Sequence, residues 1–315
     1  MISYGRLLGE LATIAVVLLA GVYATVVIDL WAGRMVARAP VRAFRVLTFP
    51  IRQTALFLLQ QPATTERPDA PLWALAPALL AAIAAASLLV IPFSPQTSAA
   101  GIESGIVYFG ALMALVMIAV YLNGWSANSV FPMIGGYRFI AEALSYEMPL
   151  ALVLIGAALP AQSLSVSAIV ISQDSLWNVI RQPLGLPIYL AAGLGVAFWG
   201  PLALPDAADL AGGTESELSG VQLLLWRTTR IAVLVAVAAM GAAVFLGGWT
   251  GPWLPGAVWM TVKTISLIFI MVVSRHLVAR VRLERFVVVA WTVLIPLALL
   301  DVFAAGAVVL AGSPR

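Results

Sequence analysis

Long apolar runs separated by short polar segments dominate the pattern of this chain. A run of about 20 mostly apolar residues is long enough to cross the hydrocarbon core of a bilayer. Lipid offers the backbone no hydrogen-bond partners, so each spanning segment must be helical. The pattern predicts eight transmembrane helices, at about 8–29, 72–94, 105–123, 143–161, 187–204, 229–249, 257–275 and 286–311.

One further segment, 41–61, is apolar but too short and too charged to span. Its apolar residues recur near helical spacing, with three arginines between them, in VRAFRVLTFPIRQTALFLLQQ. This pattern predicts an amphipathic helix lying in the membrane interface, with Pro50 as a candidate break point. This helix would either anchor the chain at the membrane surface or line an entrance into the protein. The expected fold is an all-α membrane protein in one domain, 1–315, with eight transmembrane helices and an interfacial amphipathic helix after the first.

Composition agrees with a membrane location. Hydrophobic residues make up 62% of the chain and charged residues only 10%, whereas a soluble domain has about 25% charged residues. The absence of Cys excludes disulfides and iron–sulfur ligation by this chain, and the single histidine, His276, argues against a haem site. No basic stripe indicates nucleic-acid binding.

The charges of the loops predict the orientation of the chain. Thirteen of the 17 Lys and Arg residues fall in alternate loops, on one side of the predicted membrane. By the positive-inside rule these loops face the cytoplasm, so both termini should lie on the non-cytoplasmic side of the cell membrane.

The stretch 201–220, PLALPDAADLAGGTESELSG, is an exception among these basic loops. It carries Asp206, Asp209, Glu215 and Glu217 and contains no Lys or Arg. Four acids without basic neighbours in the stretch suggest a proton or cation relay. The pair Gly212-Gly213 would let such a loop move.

Several ionisable residues fall within or beside the predicted spans. A charge near the centre of the bilayer costs roughly 2.5–3.5 kcal/mol, so an interior ion or proton path is the default hypothesis. Residues near span ends can instead extend to the interface, and we favour this for Asp29 and Arg230. For Glu10 and Asp301 both alternatives stay open. Lys263, in the middle of WMTVKTISL, favours a functional or internally paired role.

The stretch 125–149, WSANSVFPMIGGYRFIAEALSYEMP, combines small residues with three charges. Arg138 and Glu142 are four positions apart on a predicted helix, so the two can pair. Glu147 would then remain as an unpaired acid at membrane depth.

Several stretches together resemble one family, the NuoH (or subunit 1) family of membrane subunits of respiratory complex I. GWSANSVFPMIGGYRFIAEALSYEMPLAL is similar to that family's segment ending in S-Y-E-x-P, and RPDAPLWALAPALLAAIAAASLLVIPF is similar to its second span. FLGGW at 245–249, Lys263-Thr264 and the run from Arg275 to Pro296 match the family's last third in order and spacing.

The resemblance implies a fold of eight transmembrane helices and a double role. Such a subunit forms much of a quinone tunnel beneath a peripheral iron–sulfur arm and begins a chain of buried acids leading to proton-pumping subunits. Quinone would be the substrate of the complex, this chain would bind no cofactor alone, and flavin and iron–sulfur clusters would lie on partner subunits. Other membrane subunits and lipid are the further partners. The candidates for the tunnel or the proton path are Arg138, Glu142, Glu147, Asp206, Asp209, Glu215, Glu217, Lys263, Arg280 and Arg282.

The chain also departs from the family. Ala203 stands where the family has its first loop Asp, Arg230 stands where it has Glu, and the G-P-N-R-x-G motif is missing. These losses favour an alternative, the membrane subunit of a complex-I-related energy-converting hydrogenase or formate hydrogenlyase. A structural subunit that has lost quinone chemistry is another. FLGGW and S-Y-E-x-P favour the quinone-linked branch, and the lack of a repeat argues against an unrelated transporter.

Overall fold

A computed structural model describes residues 4–40, 42–94 and 102–312 of the chain. All regular structure within these ranges is helical. The helices are α1 Tyr4–Val36, α2 Ala43–Leu59, α3 Ala70–Leu88, α4 Gly105–Ser126, α5 Val130–Ala158, α6 Val166–Ile171, α7 Asn178–Arg181, α8 Gly185–Val196, α9 Gly220–Phe245, α10 Gly256–Leu277, α11 Leu283–Val289 and α12 Ile295–Gly312.

Within the described ranges, seven helical segments are long and apolar enough to cross a membrane: α1, α3, α4, α5, α9, α10 and the joined α11–α12. The all-helical membrane fold is therefore confirmed, whereas the predicted fifth span, 187–204, is wrong in extent. Its helix, α8, has 12 residues and is about 18 Å long. The backbone then turns at Phe198 and Gly200, which have φ values of 37° and 62°.

The turn after α8 is possible because the rest of the protein encloses it. Every residue from 192 to 205 is buried. Irregular backbone at membrane depth is tolerated only where it is enclosed in this way. An apolar run therefore need not be one continuous helix, which is why the sequence pattern overstated this span.

The predicted fourth span, 143–161, begins too late. Helix α5 starts at Val130 and contains 29 residues, which gives a length of about 43 Å. The charged residues Arg138, Glu142 and Glu147 consequently lie along the same helix as the span itself, and their predicted helical placement is confirmed.

Helix α9 forms the centre of the molecule. All fifteen residues from 231 to 245 are buried, and α1, α2, α3, α8 and α10 pack around it. Much of α1 and of the last helix remains exposed, as expected for surfaces that face lipid or neighbouring subunits.

The predicted amphipathic helix is present as α2, but the expected break at Pro50 is wrong. The helix continues through the proline, and the Thr54 hydroxyl donates to the Pro50 carbonyl at 2.9 Å. Only Val46 is buried, so most of the apolar face is open on the outside or toward a cavity. Val41, the first residue of the predicted pattern, lies outside the described residues.

Candidate functional site

A cavity of about 970 Å³ lies between α1, α2 and α9. Most of its wall is apolar and comes from one face of each of these helices. The apolar lining includes Leu19, Val22, Val26, Ile51, Leu58 and Leu225. The lining also has a polar and charged part, in which ion pairs and ring contacts link the residues to one another, and we call this cluster the charged end: Asp29, Trp199, Glu215, Arg227, Arg230 and Arg275.

Arg230 organises the charged end. Its guanidinium donates to Asp206 at 2.8 Å, to Glu215 at 3.4 Å and to the Phe198 carbonyl. The same group lies 4.5 Å from the centre of the Phe198 ring and 5.2 Å from that of Trp199. Its side chain is only 12% exposed. The expectation that Arg230 extends to the interface is therefore wrong, because partners from the acidic loop hold it inside.

The acids of the loop have partners from outside the loop. Glu215 accepts two hydrogen bonds from Arg227, at 2.7 and 2.9 Å. The Asp206 side chain is 7% exposed and also accepts a hydrogen bond from the Thr214 hydroxyl. Burial raises the pKa of Asp206 to about 6, although the Arg230 charge opposes the shift. Asp206 can thus gain or lose a proton near neutral pH.

The predicted pair between Arg138 and Glu142 is wrong. Arg138 instead donates to Asp209 at 2.7 Å, with side chains that are 30% and 61% exposed. This hydrogen bond lowers the pKa of the Asp209 carboxyl. Glu217 accepts a hydrogen bond from the Ser129 hydroxyl at 2.8 Å, just before α5 begins. The loop is thereby attached to the start of α5 at two points.

Glu142 is left inside α5 with no exposed surface. Neither of its oxygens has a hydrogen-bond partner within the described part of the chain, and the same holds there for Tyr146 Oη and Glu147 Oε1. Asp206 and Arg230 are the charged groups whose fields act on Glu142. Asp206 and Arg230 therefore connect the charged end of the cavity electrostatically to Glu142, and the buried Tyr146 and the half-buried Glu147 follow it along α5.

A second ion pair at the cavity joins α1 to α10. Asp29 lies 3.0 Å from Arg275 and 2.8 Å from His276. Asp29 is thus paired between helices, and its expected position at the interface stays a prediction. Arg275 also lies 5.2 Å from the centre of the Trp199 ring.

Trp199 is a functional candidate that the sequence pattern did not indicate. It lines the cavity, its ring contacts Arg230 and Arg275, and its Nε1–H has no hydrogen-bond acceptor among the described residues. The available signal was its place in FWGPL, where the apolar run ends and the acidic loop begins.

The remaining candidates lie elsewhere. Lys263 donates to the carbonyls of Gly248 and Thr250, at 3.0 and 2.7 Å, and its ammonium lies 4.4 Å from the centre of the Trp177 ring. It is internally held, as expected, but it is 12 residues from Arg275 on α10, about 18 Å along the helix.

Arg280 and Arg282 are exposed beside the acidic loop. The amide between them, that of Val281, donates to the Pro201 carbonyl at 2.9 Å. The side chain of Glu10 lies outside the residues whose side chains are described. In the described residues, no group of three His, Cys, Asp or Glu side chains could hold a metal ion.

Comparison with known proteins assigns the chain to a family. Residues 9–306 match a protein family described as NADH dehydrogenase. The chain is 34% identical over 264 residues to an NADH-quinone oxidoreductase H subunit of Rhodopseudomonas palustris (strain BisB5), covering 84% of this chain and 83% of the relative. It is 34% identical over 251 residues to the NADH-quinone oxidoreductase H subunit of Bacillus cytotoxicus, covering 78% and 75%. The chain therefore belongs to the NADH dehydrogenase family, in which the two relatives named above are H subunits of NADH-quinone oxidoreductases.

Proposed function

We propose that this chain is the quinone-binding membrane subunit of a proton-translocating NADH:quinone oxidoreductase. The observation that carries the proposal is the cavity between α1, α2 and α9, which has apolar walls and a charged end. A quinone has the matching chemistry, with an apolar tail and a head that carries two carbonyl oxygens. The names of the relatives support the quinone-linked function over the hydrogenase alternative.

The charged end can orient the quinone head. Trp199 Nε1 and the guanidinium groups of Arg230 and Arg275 are donors at the end of the cavity. Hydrogen bonds from such donors are worth most where developing negative charge is shielded from water. Reduction of a quinone to a quinol takes up two electrons and two protons. The electrons would come from a partner iron–sulfur arm, since this chain has no Cys.

The ion pairs of Arg230 can transmit the change of charge on the quinone to the acids of α5. Arg230 touches both Asp206 and Glu215 and lines the cavity, so negative charge on the quinone would compete with Asp206 for Arg230. A weakened pair favours proton uptake by Asp206. The charge of Asp206 acts on Glu142, which is the first of the row of polar groups on α5. We infer that this row leads toward acids in neighbouring membrane subunits.

The direct test is to narrow the cavity at α2. Leu58 lines the cavity, whereas its neighbour Leu59 is not in the lining and is 82% exposed. We expect Leu58→Trp to lower NADH:quinone reductase activity several-fold with a long-tailed quinone, and Leu59→Trp to leave it unchanged in an equally assembled complex. Equal rates for the two variants would count against the proposed path of the quinone.

A further inference from the structure

A second buried acid lies far from the cavity. Asp301 on α12 is 3% exposed, and it lies close to Gly156 on α5, where a β-carbon would be 3.7 Å from its Oδ2. Gly156 is 18 residues beyond Arg138, which places it about 27 Å along α5 from the acidic loop. Asp301 is therefore at the opposite end of α5 from the proposed quinone site.

The surroundings of Asp301 leave one of its oxygens without a donor. The backbone amides of Leu184 and Gly185, at the start of α8, lie close to the carboxylate. In the described part of the chain, Oδ2 has no hydrogen-bond partner. A buried carboxylate oxygen without a donor is costly, so such groups commonly become neutral instead.

Gln182 carries a second buried acceptor close to Gly156. It is 1% exposed, and its Nε2 donates to the Gly156 carbonyl at 2.6 Å. This hydrogen bond fixes the orientation of the amide, because a flipped amide would place two oxygens together. Its Oε1 has no partner among the described residues. A β-carbon on Gly156 would lie 3.8 Å from Oε1, so the two oxygens without partners lie within 4 Å of the same point beside Gly156.

No basic side chain in the described ranges pairs with Asp301. The nearest acid on α5 is Glu147, nine residues before Gly156 and about 13 Å away along the helix. Arg181 lies at the nearby cavity but donates to the Ser172 carbonyl and the Ser175 hydroxyl, at 2.9 and 3.1 Å. The charge of an ionised Asp301 would therefore be opposed only by backbone amides.

We propose that Asp301 and Gln182 form a proton-binding site, in which the neutral Asp301 carboxyl donates its Oδ2–H to Gln182 Oε1. One proton then satisfies both buried acceptors. Gln182 also lines a cavity of about 290 Å³, together with Gln162 and Arg181, through which the proton can exchange with water. The site binds a proton whether or not a quinone is bound in the other cavity.

Infrared spectroscopy of the whole complex in membranes tests this assignment without turnover. The C=O stretch of a protonated, buried carboxyl should be present in the wild-type protein and absent in Asp301→Asn. Gln182→Leu should keep the band and shift it, because the acceptor is lost. Asp174→Asn, which changes an exposed acid of the preceding connection, should leave it unchanged.

Identical carboxyl bands in the wild-type protein and Asp301→Asn would overturn the proposal, and would indicate an ionised Asp301 bridged by water. If Asp301→Asn does not assemble, Gln182→Leu decides the question. A shifted band supports the site, and an unchanged spectrum overturns it.

Discussion

Arg230 is the residue on which the acidic loop depends. It holds Asp206 and Glu215 from α9 while its guanidinium rests on two aromatic rings. The positive charge of Arg230 is thus balanced by two acids of the loop.

Removal of Arg230 should destabilise the protein strongly. Arg230→Ala leaves Asp206 buried without its cation, and breaking a buried pair in this way costs roughly 3–5 kcal/mol. Combining it with Asp206→Asn should recover part of the loss, because the stranded charge is gone. Thermal unfolding of the purified complex measures both effects.

The exposed pair provides the matched comparison. Arg138 and Asp209 are 30% and 61% exposed, and exposed pairs are worth about 0–1 kcal/mol. Arg138→Ala should therefore change stability little. A loss as large as that of Arg230→Ala would show that the loop is not anchored mainly at Arg230.

Asp206 should impose a pH dependence on activity. Its pKa is raised to about 6 by burial, so the carboxyl is ionised and paired with Arg230 above pH 6 and neutral below it. As pH falls through 6, Arg230 loses the nearer of its two counter-charges, and we expect quinone reductase activity to fall. Asp206→Asn should lack this step in the pH profile, and a step of unchanged size in that variant would assign it to another group.

The sequence located these acids correctly but misjudged their partners. No Lys or Arg lies within 201–220, which suggested unpaired acids, yet Arg138, Arg227 and Arg230 reach them from α5 and α9. Likewise, the spacing of Arg138 and Glu142 indicated a pair on one helix. Spacing describes neighbours on a helix, but it carries no information about a competing acid brought in by a distant loop.

At the level of elements, the acidic loop is shaped by a close backbone approach. Gly213 has a φ of 54°, and a β-carbon there would lie 1.7 Å from the Pro205 carbonyl oxygen. The glycine is thus required for the close packing of the backbone at 213 against the backbone at Pro205. Whether the Gly212-Gly213 pair also allows the loop to move stays a prediction.

Gly213→Ala should displace the loop and its acids. A side chain at this position must push Pro205 away, which separates Asp206 from Arg230, so quinone reductase activity should fall at least tenfold. Gly110→Ala on α4 is the control, because a β-carbon there meets nothing within 4 Å. Full activity of Gly213→Ala would mean that the geometry of the loop does not matter for the reaction.

The helices show where hydropathy is sufficient and where it fails. Apolar runs located each helix of spanning length, because a lipid-facing helix must be apolar over its whole length. They failed at 187–204, where the chain is apolar because it is enclosed by protein. They also missed the first turns of α5, in which polar and charged residues contact the loop.

At the scale of the whole molecule, the acids of α5 that we propose for the proton path do not line the cavity proposed for the quinone. Glu147 lies beyond Glu142 along α5, and its Oε1 has no partner in the residues described. We expect Glu147→Gln to lower the number of protons pumped per electron in proteoliposomes while quinone reduction continues. Unchanged pumping at unchanged turnover would remove Glu147 from the path.

The charges of the loops predict the orientation of the whole chain, with both termini on the non-cytoplasmic side. It places the acidic loop and the charged end of the large cavity toward the cytoplasm, where an iron–sulfur arm would dock. A cysteine introduced in the exposed Arg280–Arg282 segment should react with a membrane-impermeant reagent only from the cytoplasmic side. Labelling from the opposite side would show that the chain has the opposite orientation in the membrane.

We expect a quinone to occupy the cavity between α1, α2 and α9, with its head near Trp199 and Arg230. Photolabelling of the intact complex with an azido-quinone, followed by mapping of the modified peptides by mass spectrometry, tests this placement. Labels should fall on cavity-lining segments of α1, α2 and α9 and should disappear when excess unlabelled quinone is present. Competable labels confined to other surfaces, with none in this cavity, would contradict this placement.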